Sequence, residues 1–377
     1  MMTKSIIALI FLMVSCQQYF ASSATISGTL FKGDQQERIS DIEHVMVTMN
    51  DFPLSSGNCQ GWCNENAYPQ ATINNDGTYI FQYVQPGQYI ISASAKNGGN
   101  YLTEYWASPG SVRNVEDAQV VIVNDSGDEI LDKDFNLDPG GTISGTIFKA
   151  DGLSLLNDRI VGVRIISDSN TVPVARENII MSNSNYIIPA IPTGHYYLQA
   201  YVYGSANIND ISYAQEWWAS SESVEKLSSA EQIFINEGEN LINRNFQLDP
   251  IMSIRGKIFY KDGLAISPNN NQDVKIIALD GKCNISDKQI QTGNTNGDGE
   301  YVIHSLKVGT YFLIAVPLNH SRFTPVWWNN LEGTTNCNNA DSIILDGTKN
   351  IFDKNFKINF QKPFPWDLIL PAFRKGK

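Results

Sequence analysis

The chain repeats itself three times. Ile26, Ser27, Gly28, Thr29, Leu30, Phe31 returns as Ile143, Ser144, Gly145, Thr146, Ile147, Phe148 and again as Ile254, Arg255, Gly256, Lys257, Ile258, Phe259, at offsets of 117 and 111 residues. Three further landmarks keep the same order in every copy. A Gly-x-Tyr turn stands at Gly87 and Tyr89, at Gly194 and Tyr196, and at Gly309 and Tyr311. An aromatic cluster follows: Tyr101, Tyr105 and Trp106, then Tyr213, Trp217 and Trp218, then Phe323, Trp327 and Trp328. Each copy closes on a related segment, at 134–137, 245–248 and 355–358. A period near 110 residues is the size of a domain, whereas solenoid turns recur every ~20 to 50 residues. The 377 residues therefore read as tandem copies of one domain.

Inside a copy the period is two. Ile26, Gly28 and Leu30 alternate with Ser27, Thr29 and Phe31, and the runs 45–49, 79–84, 89–93, 119–123 and 133–137 are short and rich in β-branched or aromatic residues. Turn residues separate them, as at Asn75, Asp76, Gly77 and at Pro86, Gly87. The only helix candidates are single turns at 115–118 and 227–231. About seven strands in ~110 residues, with turns every 8 to 12, predict a two-sheet antiparallel sandwich. The fold class expected is all-β: three tandem antiparallel β-sandwich domains, prealbumin-like or Ig-like, at 25–140, 141–250 and 251–360. Short Pro-containing joints, Leu137 to Gly141 and Leu248 to Met252, predict a stiff rod.

The N-terminus reads as an export signal. Lys4 precedes an apolar run from Ile6 to Val14, too short for the ~20 residues of a bilayer span. Two cleavage readings stand: small residues at Ser22, Ser23 and Ala24 place removal after residue 24, while Met13 to Cys16 fits a lipoprotein box with a lipid anchor at Cys16. Either way the chain is secreted or held at the cell surface, without a transmembrane span. Four cysteines then remain, and in an exported protein Cys59 with Cys63 and Cys283 with Cys337 read as two local disulfides.

The first-strand motif, the Asp-Gly-x-Tyr hairpin, the Pro-x-Gly-x-Tyr hairpin and the closing Phe-x-Leu together resemble the carboxypeptidase regulatory-like domains, a prealbumin-like sandwich group. The segment from Tyr101 to Leu137 is similar to bacterial surface proteins of this kind, and related units form the Cna B-type and SdrD B-type repeats of bacterial adhesins. The resemblance spans Thr25 to about Asn359, with Asn183, Ser184, Asn185 in place of the Asp-Gly turn in the second copy. It implies Sec export in a bacterium and a spacer, adhesive or hydrolase-accessory role.

Chemistry leaves little trace. The four histidines, His44, His195, His304 and His320, form no HxxE or HExxH zinc motif, and no GxSxG elbow or P-loop occurs, so no enzyme, metal or cofactor is expected. The loop 294–299 has the oxygen spacing of half a calcium loop but Ser305 where a bidentate Glu belongs, and reads as a turn. Lys plus Arg number 27 against 39 Asp plus Glu, a net charge of −12 that excludes a nucleic-acid partner. The paired aromatics are the candidate ligand-binding residues, with carbohydrate or a cell-surface glycoprotein as partner, since a flat ring stacks on a sugar or anchors a protein. The competing reading makes them packing residues, one ring inward and one outward. The tail 361–377, apolar and then basic, is expected to fold back on the third sandwich.

Overall fold

The computed structural model describes residues 24–33, 37–52, 69–168, 176–180, 183–203, 210–265, 274–283, 289–294, 298–317, 324–330 and 333–358; side chains are described except at 176–180, 289–294 and 317. The leader with Cys16, the pair Cys59 and Cys63, Phe323, residues 295–297 of the half calcium loop and the tail 361–377 lie outside the described residues. What is described is all-β, with helical geometry confined to 3₁₀ turns such as Val115–Asp117 and Leu227–Ser229. Among the described residues, six sheets form three sets of two that follow the three sequence copies. The chain divides into two compact units: Met1–Gly141 with Pro189–Pro192 and Asn236–Glu239, and the remainder.

In the first unit, alternation does what a half-buried strand requires. Along Ala24–Lys32, Ala24, Ile26, Gly28 and Leu30 are buried while the residues between them are half-buried. This strand lies between Phe135–Leu137 and Thr78–Val84 in one sheet; Val45–Asp51, Gly87–Ala95, Glu104–Ala107 and Gly110–Val112 form the other. The inner faces share a core built from Ile26, Leu30, Val47, Tyr79, Ile91 and Phe135. Each such side chain contributes about 1.5–3 kcal/mol by leaving water.

The second unit contains most of the next two copies. Gly141–Lys149 and Asn185–Ile191 face Val161–Ser167, Gly194–Val202 and Glu216–Trp217; Pro250–Tyr260 and Glu300–Leu306 face Val274–Leu279, Gly309–Pro317 and Val326–Trp327. The joint between these copies is itself a pairing, since Ser212 and Tyr213 sit opposite Ile251 and Pro250. Cys283 and Cys337 are joined in a disulfide that spans 54 positions of the third copy.

Two features depart from a purely antiparallel sandwich of seven strands. The closing segment runs parallel to the first strand in every copy, pairing Leu30 with Phe135, Ile147 with Phe246 and Ile258 with Phe356. A parallel neighbour needs a crossover and not a hairpin, and the whole copy supplies it. The first copy also has ten described strands, because two-residue pairings such as Thr72–Ile73 and Glu129–Ile130 add to the main ones.

Candidate functional site

The recurring landmarks meet in space, once per copy. At Gly28 a Cβ would collide with the carbonyl of Lys133; Gly145 stands in the same relation to Arg244 and Gly256 to Lys354. Those carbonyls accept the buried phenols of Tyr79 at 2.6 Å, Tyr186 at 2.5 Å and Tyr301 at 2.5 Å. The side chains of the same three cations lie over the second ring of each aromatic pair. Lys133 Nζ is 4.4 Å from the centroid of Trp106, Arg244 Cζ 5.2 Å from Trp218 and Lys354 Nζ 4.4 Å from Trp328. One glycine, one tyrosine, one cation and one tryptophan thus form a lock in every copy. Asp134, Asn245 and Asn355 complete it by accepting the backbone N–H of Thr29, Thr146 and Lys257.

This lock places Trp106, Trp218 and Trp328 in the cores, at 8 %, 9 % and 4 % exposure. Tyr101 is buried and donates to Asp41 at 2.9 Å, and burial pushes its phenol well above the ordinary value. Tyr213 is buried beside a cleft of about 480 Å³ that is also lined by Asp249, Lys307 and Asp346. The charges of that cleft are met within the chain: Lys307 binds Asp249 at 2.9 Å and Glu225 at 3.0 Å, and Asp346 accepts from Thr348.

The first ring of each pair points to the other face of its sheet, and there the three copies differ. Tyr105, half-buried, stands opposite Ser92, whose hydroxyl meets Thr48 at 2.9 Å. Trp327 is 3 % exposed, covered in an apolar cluster with Ile277, Leu279, Ile314 and Ala340 against which the disulfide residue Cys337 packs. Trp217 remains half-buried and belongs to a mixed aromatic and polar face.

That face is a cross centred on Gln199. Arg164 and Trp217 flank it on the neighbouring strands, and Tyr197 and Tyr201 flank it along its own. Tyr197 meets Trp217 edge-on with centroids 6.4 Å apart, and the Arg164 guanidinium lies 5.4 Å from the centroid of Tyr201. Arg164 Nε donates to Gln199 Oε1 at 2.6 Å. Gln199 is fully buried, and its Nε2 has no hydrogen-bond partner. Leaving a buried donor unmade costs ~1–3 kcal/mol, which the packing around it must offset. Arg164, Tyr197, Gln199 and Tyr201 form no sequence motif; their signal is the alternation His195, Tyr197, Gln199, Tyr201, Tyr203, which lines one face of a strand.

Two buried carboxylates complete the electrostatic picture. Glu216 accepts the backbone N–H of Asp249 at 3.0 Å, and burial pushes its carboxyl up to about 7. Glu104 accepts from Asp138 N–H at 3.1 Å and from the Ser111 hydroxyl at 2.5 Å, and burial raises it too. At 2 % and 3 % exposure neither reaches a substrate; both hold the segment that leaves their copy. Among the described residues no group of three or more His, Cys, Asp or Glu is placed to hold a metal ion, and no helix is long and apolar enough to cross a membrane.

No protein-family model matches the chain, and no curated protein does. Solved structures similar to it include the Bacillus anthracis TIE protein, 12 % identical with a TM-score of 0.21 over 90 % of this chain. The chain spans 51 % of the length of that protein. The streptococcal ancillary pilin is 10 % identical with a TM-score of 0.27, covering 90 % of this chain and 100 % of its own. A variant of BcpA, the major pilin subunit of Bacillus cereus, is 6 % identical with a TM-score of 0.21, covering 89 % and 99 %.

Proposed function

We propose that the chain is a non-catalytic binding protein of the bacterial cell exterior, related to the carboxypeptidase regulatory-like and Cna B-type domains, whose ligand is carbohydrate, free or on a glycoprotein. Residues 25–140, 141–250 and 251–360 are its three sandwich domains, delivered by a Sec leader that is either cleaved or lipidated at Cys16. The observation that carries this reading is the group of half-buried rings Tyr197, Tyr201 and Trp217 on one sheet face, around the buried Gln199. Flat apolar faces beside polar donors suit a sugar, which offers an apolar ring face and hydroxyls at its rim. Of the paired aromatics, Trp217 and Tyr105 take the contact role, and Trp106, Trp218 and Trp328 the packing role.

A structural spacer without a ligand of its own is the second reading. It is favoured by the Gly–Tyr–cation–Trp lock, which recurs in all three copies and rigidifies each. A glycan array probed with residues 25–377 and with a Trp217→Ala variant separates the two. Signals lost in the variant support binding at this face; an array silent for both proteins favours the spacer.

A further inference from the structure

The two copies that lead into another copy end on the same constellation. At the exit of the second copy the Glu216 carboxylate accepts the Asp249 N–H, the Asp249 carboxylate binds Lys307 of the third copy at 2.9 Å, and Lys307 binds Glu225 of the second at 3.0 Å. Inside the first unit Glu104 accepts the Asp138 N–H, and Arg113 binds Asp138 at 2.8 Å and Glu237 at 3.0 Å. Each set holds three carboxyl groups and one cation. The third copy has Val326 in place of the glutamate, so the set belongs to the joints and not to the sandwich itself.

The two sets compensate their glutamate differently. Arg113 Nε reaches Glu104 itself at 3.3 Å. Lys307 is engaged by Asp249 and Glu225 instead, and among the described residues no cation pairs directly with Glu216. The charged groups acting on Glu216 are Asp249 at the exit, Lys307 from the third copy and Glu225 on the segment after the aromatic pair. Ionising Glu216, which is 2 % exposed, therefore adds a third negative charge to two that share one cation. Water has a route to it, because the cleft of about 480 Å³ is lined by Tyr213, Asp249, Pro250 and Lys307, the residues that form this joint. The backbone there is held by the Ala214 N–H on the Asp249 carbonyl at 2.8 Å and by Asn350 Nδ2 on the Asp210 carbonyl at 2.9 Å. A carboxyl that titrates at about 7 when covered and at 4.5 when solvated makes its own exposure up to about 300-fold easier above pH 7 than below pH 4.5.

We infer that the joint between the second and third copies is a pH-governed hinge, closed over a protonated Glu216 and loosened when that carboxyl ionises and draws water from the cleft. The advantage of the closed joint is complete below about pH 4.5 and is lost as pH rises to about 7. Both copies keep their own cores throughout, and the freedom gained lies in the segment from Leu248 to Met252. The hinge is independent of any ligand and stands under either reading of the function.

The test follows amide hydrogen exchange in residues 25–377 at pH 5 and pH 8, with every rate divided by its intrinsic rate at that pH. In the wild-type protein the protection of the Asp249 and Ala214 amides is expected to fall at least tenfold between the two, while Val163 and Ile276, in the cores of the second and third copies, change less than twofold. Glu216→Gln, which keeps an acceptor for the Asp249 N–H, should hold the joint amides within about twofold at both pH values. Lys307→Gln, which removes the one cation, should lower their protection further at pH 8 and serves where the glutamine variant at 216 does not fold. Constant protection of the wild-type joint overturns the hinge, as does a fall in Glu216→Gln equal to that of the wild type. Loss of protection at Val163 or Ile276 in step with Asp249 overturns it too, since the whole sandwich would then be opening and not the joint.

Discussion

The carboxylate of Glu216 accepts the backbone N–H of Asp249 across 3.0 Å, and Glu104 holds Asp138 in the same way at 3.1 Å. In both copies the glutamate precedes the aromatic pair and the aspartate follows the closing strand, so one side chain fixes where the chain leaves its sandwich. The third copy has Val326 at this position, buried in its core.

The first prediction concerns pH. Burial, opposed by the Asp249 N–H and by Lys307, raises the folded value of Glu216 to about 7 from 4.5. A carboxyl with a raised folded value binds its proton more tightly folded than unfolded, so its contribution is fully present below about 4.5 and is lost as pH rises to about 7. Glu216→Gln keeps an acceptor for Asp249 and removes the titration. Urea denaturation between pH 4.5 and 8 should show the variant gaining on the wild type as pH rises; a constant difference would contradict the assignment.

The second concerns the lock. Gly145→Ala drives a methyl into the Arg244 carbonyl, which is backbone and cannot step aside, and should cost about 1–3 kcal/mol or more. Tyr301→Phe strips the Lys354 carbonyl of its phenol donor inside the fold and should cost about 1–3 kcal/mol. Denaturant midpoints measure both.

A third distinguishes the two rings of a pair. Trp218→Ala removes a core ring and should destabilise by about 3–5 kcal/mol, whereas Trp217→Ala acts on a half-buried one and should cost clearly less. Thermal unfolding of the two variants side by side decides it. Equal losses would mean that Trp217 is also a packing residue.

The disulfide gives the fourth. Cys283–Cys337 closes a 54-residue span and covers the apolar cluster around Trp327. Cys337→Ser should lower stability by up to ~4 kcal/mol on the loop-entropy model. Tryptophan fluorescence should red-shift as Trp327 meets water.

Much of this was legible in the chain itself. Alternation located the strands, and the recurrence of Gly28, Gly145 and Gly256 marked positions where only a hydrogen fits beneath Lys133, Arg244 and Lys354. The direction of each ring was harder to read, because a one-residue change of register exchanges the two faces of a strand. Trp217 and Trp327 occupy one position of the repeat yet differ in cover, since their neighbours across the sheet, Gln199 and Ile314, lie 18 and 13 residues away in sequence. The parallel closing strand left no local sign either: alternation looks the same in both directions.

Because the first and last strands of each copy lie side by side and point the same way, tension applied at its two ends pulls them in opposite directions along their common axis. The ladder at Leu30, Phe31 and Lys32 with Phe135, Asn136 and Leu137 is then loaded in shear, all rungs at once, where a hairpin would peel rung by rung. Repeated at Ile147 with Phe246 and at Ile258 with Phe356, the same geometry makes each copy yield to such a pull only when all its rungs part together.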